Sequence, residues 1–320
     1  MFRFTRVASR TLLAVVLAAC GADAGGDGRA ESAASAVAPR ASATPSSAIV
    51  DDFGDTLRLA APPARVVSLN PTTTEVMFAL GVGDRLVGRS RWDLWPAAAE
   101  RVPAVGDGIR PNVEAVLATR PELVVLYASA DNRAAARALR DAGVATLAVK
   151  VDSIAEFRRV TRTLGEVMGR ADVARATVDS VDATLARVRR LTSGGPRPTL
   201  LWRAWDAPLM VIGGGSYLTE LFEIAGGRNV FADDPRPSPQ VSFEEVLRRD
   251  PDRMIVTSDA SVAKLRADAR WRTLPAVRDN RLVVVDGDLL ARPSVRLGEA
   301  AVQLASRLHP ALADSLALPR

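Results

Sequence analysis

The sequence predicts an α/β protein of two similar lobes with parallel sheets, joined by a single long helix. One reason is an internal repeat: Thr74–Gly81 returns as Thr219–Gly226, and Glu114–Val125 returns, in the same order, as Glu244–Ile255. A second reason is that strand and helix patterns alternate in both halves, which favours parallel sheets covered on both faces. A repeat of two units is too short for a solenoid, and ligands usually bind between lobes. We therefore expect a clamp with its binding site in the interlobe cleft.

The first 19 residues have the pattern of a secretory signal. Arg3 and Arg6 precede an apolar run, 11–17, that is shorter than the about 20 residues a membrane-spanning helix needs. The only cysteine, Cys20, ends the segment Leu17–Cys20, which resembles a lipobox, in which the cysteine becomes the lipidated first residue. The alternative is an ordinary signal peptide with an incidental cysteine. We expect a periplasmic or otherwise extracytoplasmic protein that Cys20 anchors to a membrane.

Composition and periodicity divide the rest of the chain. Residues 20–48 are dominated by Ala, Gly, Ser, Pro and Asp, which predicts a disordered tether behind the lipidated cysteine. We expect an N-terminal lobe over 49–168, a connecting helix over 169–192, a C-terminal lobe over 193–310 and a tail over 311–320.

The N-terminal lobe is expected to alternate short strands with helices. Thr72 or Thr73 is expected to cap a helix that stops at Gly81, and Ser153 with Glu156 has capping-box spacing for a helix to about Met168. The other predicted elements are strands at 65–69, 85–88, 123–127 and 144–149, and helices at 113–118 and 132–142.

The connecting helix and the second lobe are also predicted from residue spacing and turn signals. Apolar residues recur at helical spacing from Ala171 to Leu191, a length of about 31 Å, which is enough to cross between lobes. The glycines 213–215 lack the lysine of a phosphate-binding loop, so a close backbone approach explains them better. The other predicted elements are strands at 199–202, 209–212, 253–257 and 282–285, and helices that begin after 216, near 242 and at 295.

Charge and histidine content exclude several classes of function. The net charge is +5, but the arginines are scattered among acids and only Lys150 and Lys264 are lysines, so no nucleic-acid surface is indicated. The only histidine, His309, lies close to the C-terminus, where we expect a surface or packing role. One histidine does not supply a metal site rich in imidazole, nor a nucleophile and base pair. We therefore expect no catalytic site, no metal site and no cofactor.

Aromatic and polar residues near strand ends are the candidates for the binding site. The chain has five tryptophans, and four of them form two pairs, one pair in each predicted lobe. Indole rings offer broad flat faces for a large planar ligand, although core packing is the alternative for each of them. Tyr127 follows a predicted strand, and the loop after the last strand carries an acid and a base, for which a bare surface loop is the alternative. The expected ligand residues are Trp92, Trp95, Tyr127, Trp202, Trp205, Asp288 and Arg292.

Several short motifs are spread along the chain: Arg65–Leu69, Thr74–Glu75, Pro121–Val124, Ala225–Phe231, Val241–Glu244, and Trp271 with Leu274–Val277. Taken as a set, they resemble the periplasmic binding proteins of ABC importers for cobalamin, haem and ferric siderophores, over about residues 49–308. The resemblance implies two Rossmann-like lobes with parallel sheets, joined by one rigid backbone helix, which matches the stretch from Ala171 to Leu191. It also implies a monomer that delivers a small molecule to a permease dimer.

The resemblance also gives a role to two glutamates at equivalent repeat positions. By spacing alone, Glu75 and Glu220 are acids near helix N-termini, where they interact favourably with the helix dipole by about 0.3–1 kcal/mol. In the family, one glutamate of each lobe projects from the surface and pairs with permease arginines. The resemblance therefore implies that Glu75 and Glu220 dock the clamp onto the transporter.

The resemblance is strongest to the cobalamin-binding branch, so cobalamin is the expected ligand. The motifs of this branch are Ser68–Pro71, Val87–Gly88, Asp93–Pro96 and Pro239–Ser242, whereas the Trp202 and Trp205 pair departs from its pattern. Haem or a ferric siderophore is the alternative, with Arg89, Arg91 or Arg203 available to anionic groups. More distant alternatives are a surface-anchored hydrolase, which a single histidine disfavours, and a receptor ectodomain.

Overall fold

A computed structural model describes residues 48–317. The predicted signal peptide, Cys20 and nearly all of the predicted tether lie outside the described residues. Within the described range, no helix has both the length and the apolar character required to cross a membrane.

The N-terminal lobe is built on a parallel sheet of four strands in the order β4-β3-β5-β6. A short antiparallel pair, β1 and β2, precedes it. These strands are β1 Ile49–Val50, β2 Thr56–Leu57, β3 Val66–Ser68, β4 Leu86–Arg89, β5 Leu123–Tyr127 and β6 Ala145–Val149. The helices of this lobe are α1 Pro71–Ala79, α2 Val113–Ala118, α3 Asn132–Asp141 and α4 Ile154–Val167, with short 3-10 helices at Gly83–Arg85 and Ala97–Arg101.

The cap of α1 differs from the prediction. Asn70, rather than Thr72 or Thr73, is the N-cap, and its side-chain oxygen accepts from the Thr72 and Thr73 backbone N–H groups at 2.9 and 3.4 Å. Pro71 fits the first helical position because it has no N–H to satisfy, so the helix begins two or three residues earlier than predicted. The capping box predicted for α4 is confirmed, since the Ser153 hydroxyl accepts from the Glu156 backbone and the Glu156 carboxylate accepts from the Ser153 backbone.

The connecting helix, α5, spans Ala171–Thr192, one residue longer than predicted. It packs against α4 of the N-terminal lobe and against three helices of the C-terminal lobe. Those three are α6 Tyr217–Ile224, α10 Leu297–Leu308 and α11 Ala313–Leu316. One long helix therefore supports both lobes.

The C-terminal lobe contains a five-stranded sheet in the order β11-β10-β7-β8, with β9 paired to β7. All pairings in it are parallel except that of β8, which lies antiparallel to β7; the sequence predicted parallel strands throughout. The strands are β7 Thr199–Trp205, β8 Met210–Val211, β9 Arg228–Asn229, β10 Arg253–Val256 and β11 Leu282–Val284. The remaining helices are α7 Phe243–Arg249, α8 Asp259–Ala267 and α9 Pro275–Arg278, with short 3-10 helices at Trp271–Thr273 and Pro310–Leu312.

Glycines 213–215 lie where backbone segments touch, as the sequence predicted. A Cβ atom on any of the three would collide with carbonyl oxygens of the segment 232–236. His309 is buried, and its Nε2 atom lies 3.1 Å from the Ala225 carbonyl oxygen, which confirms the packing role.

The main apolar core continues from one lobe to the other. It includes Val76 and Met77 of α1, Leu185 of α5, and Phe222 and Leu304 of the C-terminal lobe. The described residues accordingly belong to one compact unit. Relative motion of the lobes is restricted, because separating them would expose this shared apolar surface.

The contact between α4 and α5 provides a test of the packing that joins the connecting helix to the N-terminal lobe. A Cβ atom at Gly165 would collide with the Ala174 Cβ atom and lie 3.2 Å from the Arg170 carbonyl oxygen. We expect Gly165→Ala to lower the free energy of unfolding by about 1–3 kcal/mol, because overpacking forces the helices apart. Chemical denaturation measures the change. Gly194→Ala is the control, since a Cβ atom at Gly194 would meet no other atom within 4 Å; equal stabilities of the two variants would contradict the expectation.

Candidate functional site

Large apolar side chains are exposed at the carboxyl ends of the parallel strands. Trp92, Leu94 and Trp95 lie in the loop after β4, and their exposed fractions are 52%, 52% and 36%. Ile109, in the following loop, is 61% exposed, and Trp205 at the end of β7 is 63% exposed. Ligands of open α/β sheets bind at this edge, and clustered exposed apolar groups mark binding surfaces.

The loop that carries Ile109 is held against the end of β3. Gly108 has a φ of +81°, and a Cβ atom there would collide with the Leu69 carbonyl oxygen, so only glycine fits without strain. The buried Asn132 side chain donates to the carbonyl oxygens of Gly108 and Tyr127, both at 2.9 Å. Asn132 was not predicted as a site residue, because its partners are 24 and 5 residues away and no local motif links them.

The loop that carries the first tryptophan pair is fixed by a buried carboxylate, Asp93. The Asp93 side chain accepts hydrogen bonds from the Thr74 hydroxyl at 2.5 Å, from the Ser90 backbone at 3.2 Å and from the Ser90 hydroxyl. Burial raises the pKa of Asp93, although these hydrogen bonds and the nearby Arg89 act in the opposite direction. Asp93 thereby joins the loop with Trp92 and Trp95 to helix α1.

Tyr127 lies at the end of β5, as predicted, and is half-buried. Its hydroxyl donates toward both carboxylate oxygens of Asp152, each at 2.8 Å. Burial, followed by this hydrogen bond, raises the pKa of Tyr127. The hydroxyl of Tyr127 is therefore already engaged.

The second tryptophan pair is divided between two environments. The Trp202 ring stacks on Phe222, with 6.4 Å between centroids and 13° between planes, and packs against the main core. Trp205 is exposed, and its Nε1 donates to the Ala207 carbonyl oxygen at 3.1 Å. Beside it lies a pocket of about 380 Å³, lined by residues 203–207. Trp202 therefore packs on the core, whereas Trp205 offers its ring to solvent.

The arginines that an anionic ligand would need are already engaged. Buried Arg89 donates to the carbonyl oxygens of Val102, Ser90 and Glu100 at 2.9, 2.9 and 3.4 Å. Arg203 forms an ion pair with Asp206 at 2.6 Å, and its guanidinium lies 5.1 Å from the Trp271 ring centroid.

Arg91 is also paired, at 3.5 Å from Asp107. Backbone hydrogen bonds from Arg110 and Ile109 lower the pKa of Asp107 and keep it ionised next to Arg91. The Arg91 guanidinium lies over the Trp92 ring, 4.9 Å from its centroid.

Residues after β11 reach across to the N-terminal lobe. Arg292 donates through Nε to the Glu75 Oε1 atom at 2.9 Å, and Arg296 lies over the Trp95 ring at 5.1 Å from its centroid. Asp288 is exposed at the same strand end, where its backbone N–H donates to Asp286 at 2.9 Å. No hydrogen bond or ring contact among the described residues joins the Trp92 and Trp95 pair to the Trp202 and Trp205 pair.

The expected exposure of Glu75 is wrong. Its side chain is 3% exposed, because the interlobe contact covers it and Arg292 compensates its charge. Glu220, at the equivalent repeat position, is half-buried, and its side chain has no hydrogen-bond or ion-pair partner in the described part of the chain. The docking role of both glutamates stays a prediction, and only Glu220 has its carboxylate unengaged.

Comparison with known proteins assigns the family. Residues 66–289 match the family described as periplasmic binding protein. The chain belongs to this family. The binding protein is 28% identical over 255 residues to an uncharacterized ABC transporter substrate-binding lipoprotein, YvrC, of Bacillus subtilis, a match that covers 78% of this chain and 81% of YvrC.

Two solved structures resemble the binding protein at similar levels. The periplasmic vitamin B12 binding protein BtuF of Vibrio cholerae has a TM-score of 0.68 and 26% identity, covering 78% of this chain and 98% of BtuF. The periplasmic heme-binding protein RhuT from Roseiflexus sp. RS-1 has a TM-score of 0.70 and 25% identity, covering 79% and 99%. The protein is thus a binding protein of the cobalamin, haem and siderophore class, and not an enzyme.

The buried Asp93 predicts a pH dependence of stability. Its pKa in the folded protein is raised above the value of 3.8 expected in the unfolded chain. Its contribution to stability is therefore fully present below about pH 4 and is lost as the pH rises through the folded-state pKa. We expect wild type to lose stability relative to Asp93→Asn over that interval, as measured by denaturation at a series of pH values.

Asp107→Asn is the matched control, because the pKa of Asp107 is lowered in the folded protein. The contribution of Asp107 is present above about pH 4 and is lost as the pH falls, so the difference between wild type and this variant has the opposite slope. If the stability difference between wild type and variant changed with pH in the same direction for both variants, the raised pKa assigned to Asp93 would be contradicted.

Proposed function

We propose that this protein captures a cobalamin-type corrinoid in the cleft between its lobes and delivers it to an ABC importer. We assign the class of ligand from one observation: the arginines of the proposed cleft already interact with other groups of the protein. Arg91, Arg203 and Arg292 each have an acid as partner that compensates their charge, and Arg89 donates to three carbonyl groups. Such a site suits a ligand without net charge.

Ligand chemistry separates the candidates. Haem carries two propionate groups, and burying carboxylates without compensating cations is costly. Cyanocobalamin has no net charge, and its corrin rim carries neutral amides that donate and accept hydrogen bonds. The paired charges of the cleft meet such amides without a new ion pair being needed.

The apolar groups at the strand ends support a large flat ligand. Trp92 and Trp95 from one lobe and Trp205 from the other present indole surface to solvent. An aromatic contact of this kind contributes about 0.5–1.5 kcal/mol beyond the burial of apolar area. The similarity to the vitamin B12 binding protein of Vibrio cholerae supports the corrinoid, while the similarity to RhuT makes haem the necessary comparison.

Anchoring and docking complete the proposal. The signal sequence and the lipobox resemblance at Cys20 support a lipid-anchored extracytoplasmic protein, as does the lipoprotein relative in Bacillus subtilis. A monomer would present Glu220, whose carboxylate is unengaged, to an arginine of the permease dimer. Charge pairs at an interface set orientation and association rate more than affinity.

We expect cyanocobalamin to bind one-to-one and at least about tenfold more tightly than haemin, as measured by calorimetry and tryptophan fluorescence. Trp92→Ala and Trp205→Ala are each expected to weaken binding about tenfold, because each removes a stacking surface. Val50→Ala, also an exposed apolar residue (65%) but on β1, is the control and should bind as wild type does. Tighter binding of haemin would contradict cobalamin as the ligand, but it would not contradict the proposed role in an ABC importer.

Asp206→Asn tests the role of charge separately. This change removes the negative charge that compensates Arg203, so the positive charge of its guanidinium becomes available to an anionic group. We expect haemin affinity to rise about tenfold, the effect of one added charge-assisted hydrogen bond, and cyanocobalamin affinity to stay constant. An unchanged preference, measured by competition between the two ligands, would show that arginine engagement does not control selectivity.

A further inference from the structure

We infer that Glu75 is a positioning residue for the ligand: its carboxylate holds Arg292 so that the terminal amino groups of Arg292 bind acceptor groups of the ligand. This inference rests on the proposed function, because it assigns a role within the same cleft. It also means that the two glutamates of the repeat have different roles.

The geometry of the ion pair leaves one edge of Arg292 unused. Glu75 Oε1 accepts from Nε at 2.9 Å, and neither terminal nitrogen of Arg292 has a hydrogen bond within residues 48–317. The Arg292 side chain is 23% exposed, whereas that of Glu75 is 3% exposed. The carboxylate is therefore covered, while the guanidinium still reaches solvent with donors that suit the carbonyl oxygens of amides.

The segment that carries Arg292 is fixed on both sides of it. The Tyr217 hydroxyl donates to the Leu290 carbonyl oxygen, and the Thr72 hydroxyl donates to the Pro293 carbonyl oxygen at 2.9 Å in a buried contact across the lobes. Arg296 is paired with Glu299 through two bonds of 2.9 Å. With the backbone held in this way, the direction of the Arg292 side chain depends on the group that holds its Nε atom.

Glu75 is itself under an electrostatic constraint. Its second oxygen, Oε2, is buried and has no hydrogen-bond partner in the described part of the chain. A buried carboxylate in this condition depends on Arg292 for its charge compensation. Loss of Arg292 would leave an unpaired buried charge, whereas Glu75→Gln keeps the shape and one acceptor oxygen but removes the charge.

The test is a four-variant cycle of wild type, Glu75→Gln, Arg292→Ala and the double variant. The dissociation constant for cyanocobalamin and the thermal midpoint without ligand are measured for each. We expect Glu75→Gln to weaken binding about tenfold in the wild-type background and not at all in the Arg292→Ala background. In the ligand-free protein, adding Glu75→Gln to Arg292→Ala should raise the thermal midpoint, because it removes the unpaired charge. Glu244→Gln, an exposed glutamate in the first turn of α7, is the control for affinity and should leave the dissociation constant for cyanocobalamin unchanged.

Two outcomes would overturn the inference. One is a wild-type dissociation constant for Glu75→Gln; the other is an equal loss of affinity from Glu75→Gln in both backgrounds, which is the result of a merely structural role. If wild type binds haemin and not cyanocobalamin, the proposed ligand fails. The same cycle, run with haemin, then decides the role of Glu75, because propionate oxygens also require the terminal amino groups of Arg292.

Discussion

The apolar core that runs beneath both lobes is the constraint on which the rest of the structure depends. Helix α5 packs on helices of both lobes, and side chains of α1, α6 and α10 meet in the same cluster. Because this surface stays buried, the cleft is formed by loops at strand ends on a nearly fixed base. Wide hinge closure would expose the shared core, so ligand capture is confined to small adjustments of those loops.

On this rigid base, buried polar side chains hold the loops at the strand ends in place. Asp93 ties the tryptophan loop to α1, and Asn132 holds the neighbouring loop to the end of β5. The Asp93 carboxylate accepts three hydrogen bonds and the Asn132 amide nitrogen donates two, whereas the buried Asn132 Oδ1 atom has no partner among the described residues. The exposed indoles are thus presented on loops with little conformational freedom, which reduces the entropy lost when a ligand binds.

Much of the fold could be predicted because its signals are local. Apolar periodicity located α5 to within one residue, and the capping box of Ser153 and Glu156 marked the start of α4. Local signals do not specify the direction in which strands pair, so the antiparallel pairing of β8 was not predicted. Helix α8 was not predicted either, because it has only one buried residue, Leu265, and therefore no apolar periodicity. In the site, the strand-end positions of Trp92 and Trp205 were predictable. The burial of Glu75 was not, because its partner lies 217 residues later.

The two glutamates show what a repeat implies and what it does not. Equivalent positions place Glu75 and Glu220 on corresponding helices, but within residues 48–317 the segment after β11 forms an ion pair only with Glu75. Contact with Arg292 buries the Glu75 carboxylate, while the Glu220 carboxylate has no partner among the described residues. The repeat thus supplies two equivalent positions whose surroundings differ. This difference is the reason for the two separate proposals, in which Glu75 acts on the ligand through Arg292 and Glu220 pairs with the permease.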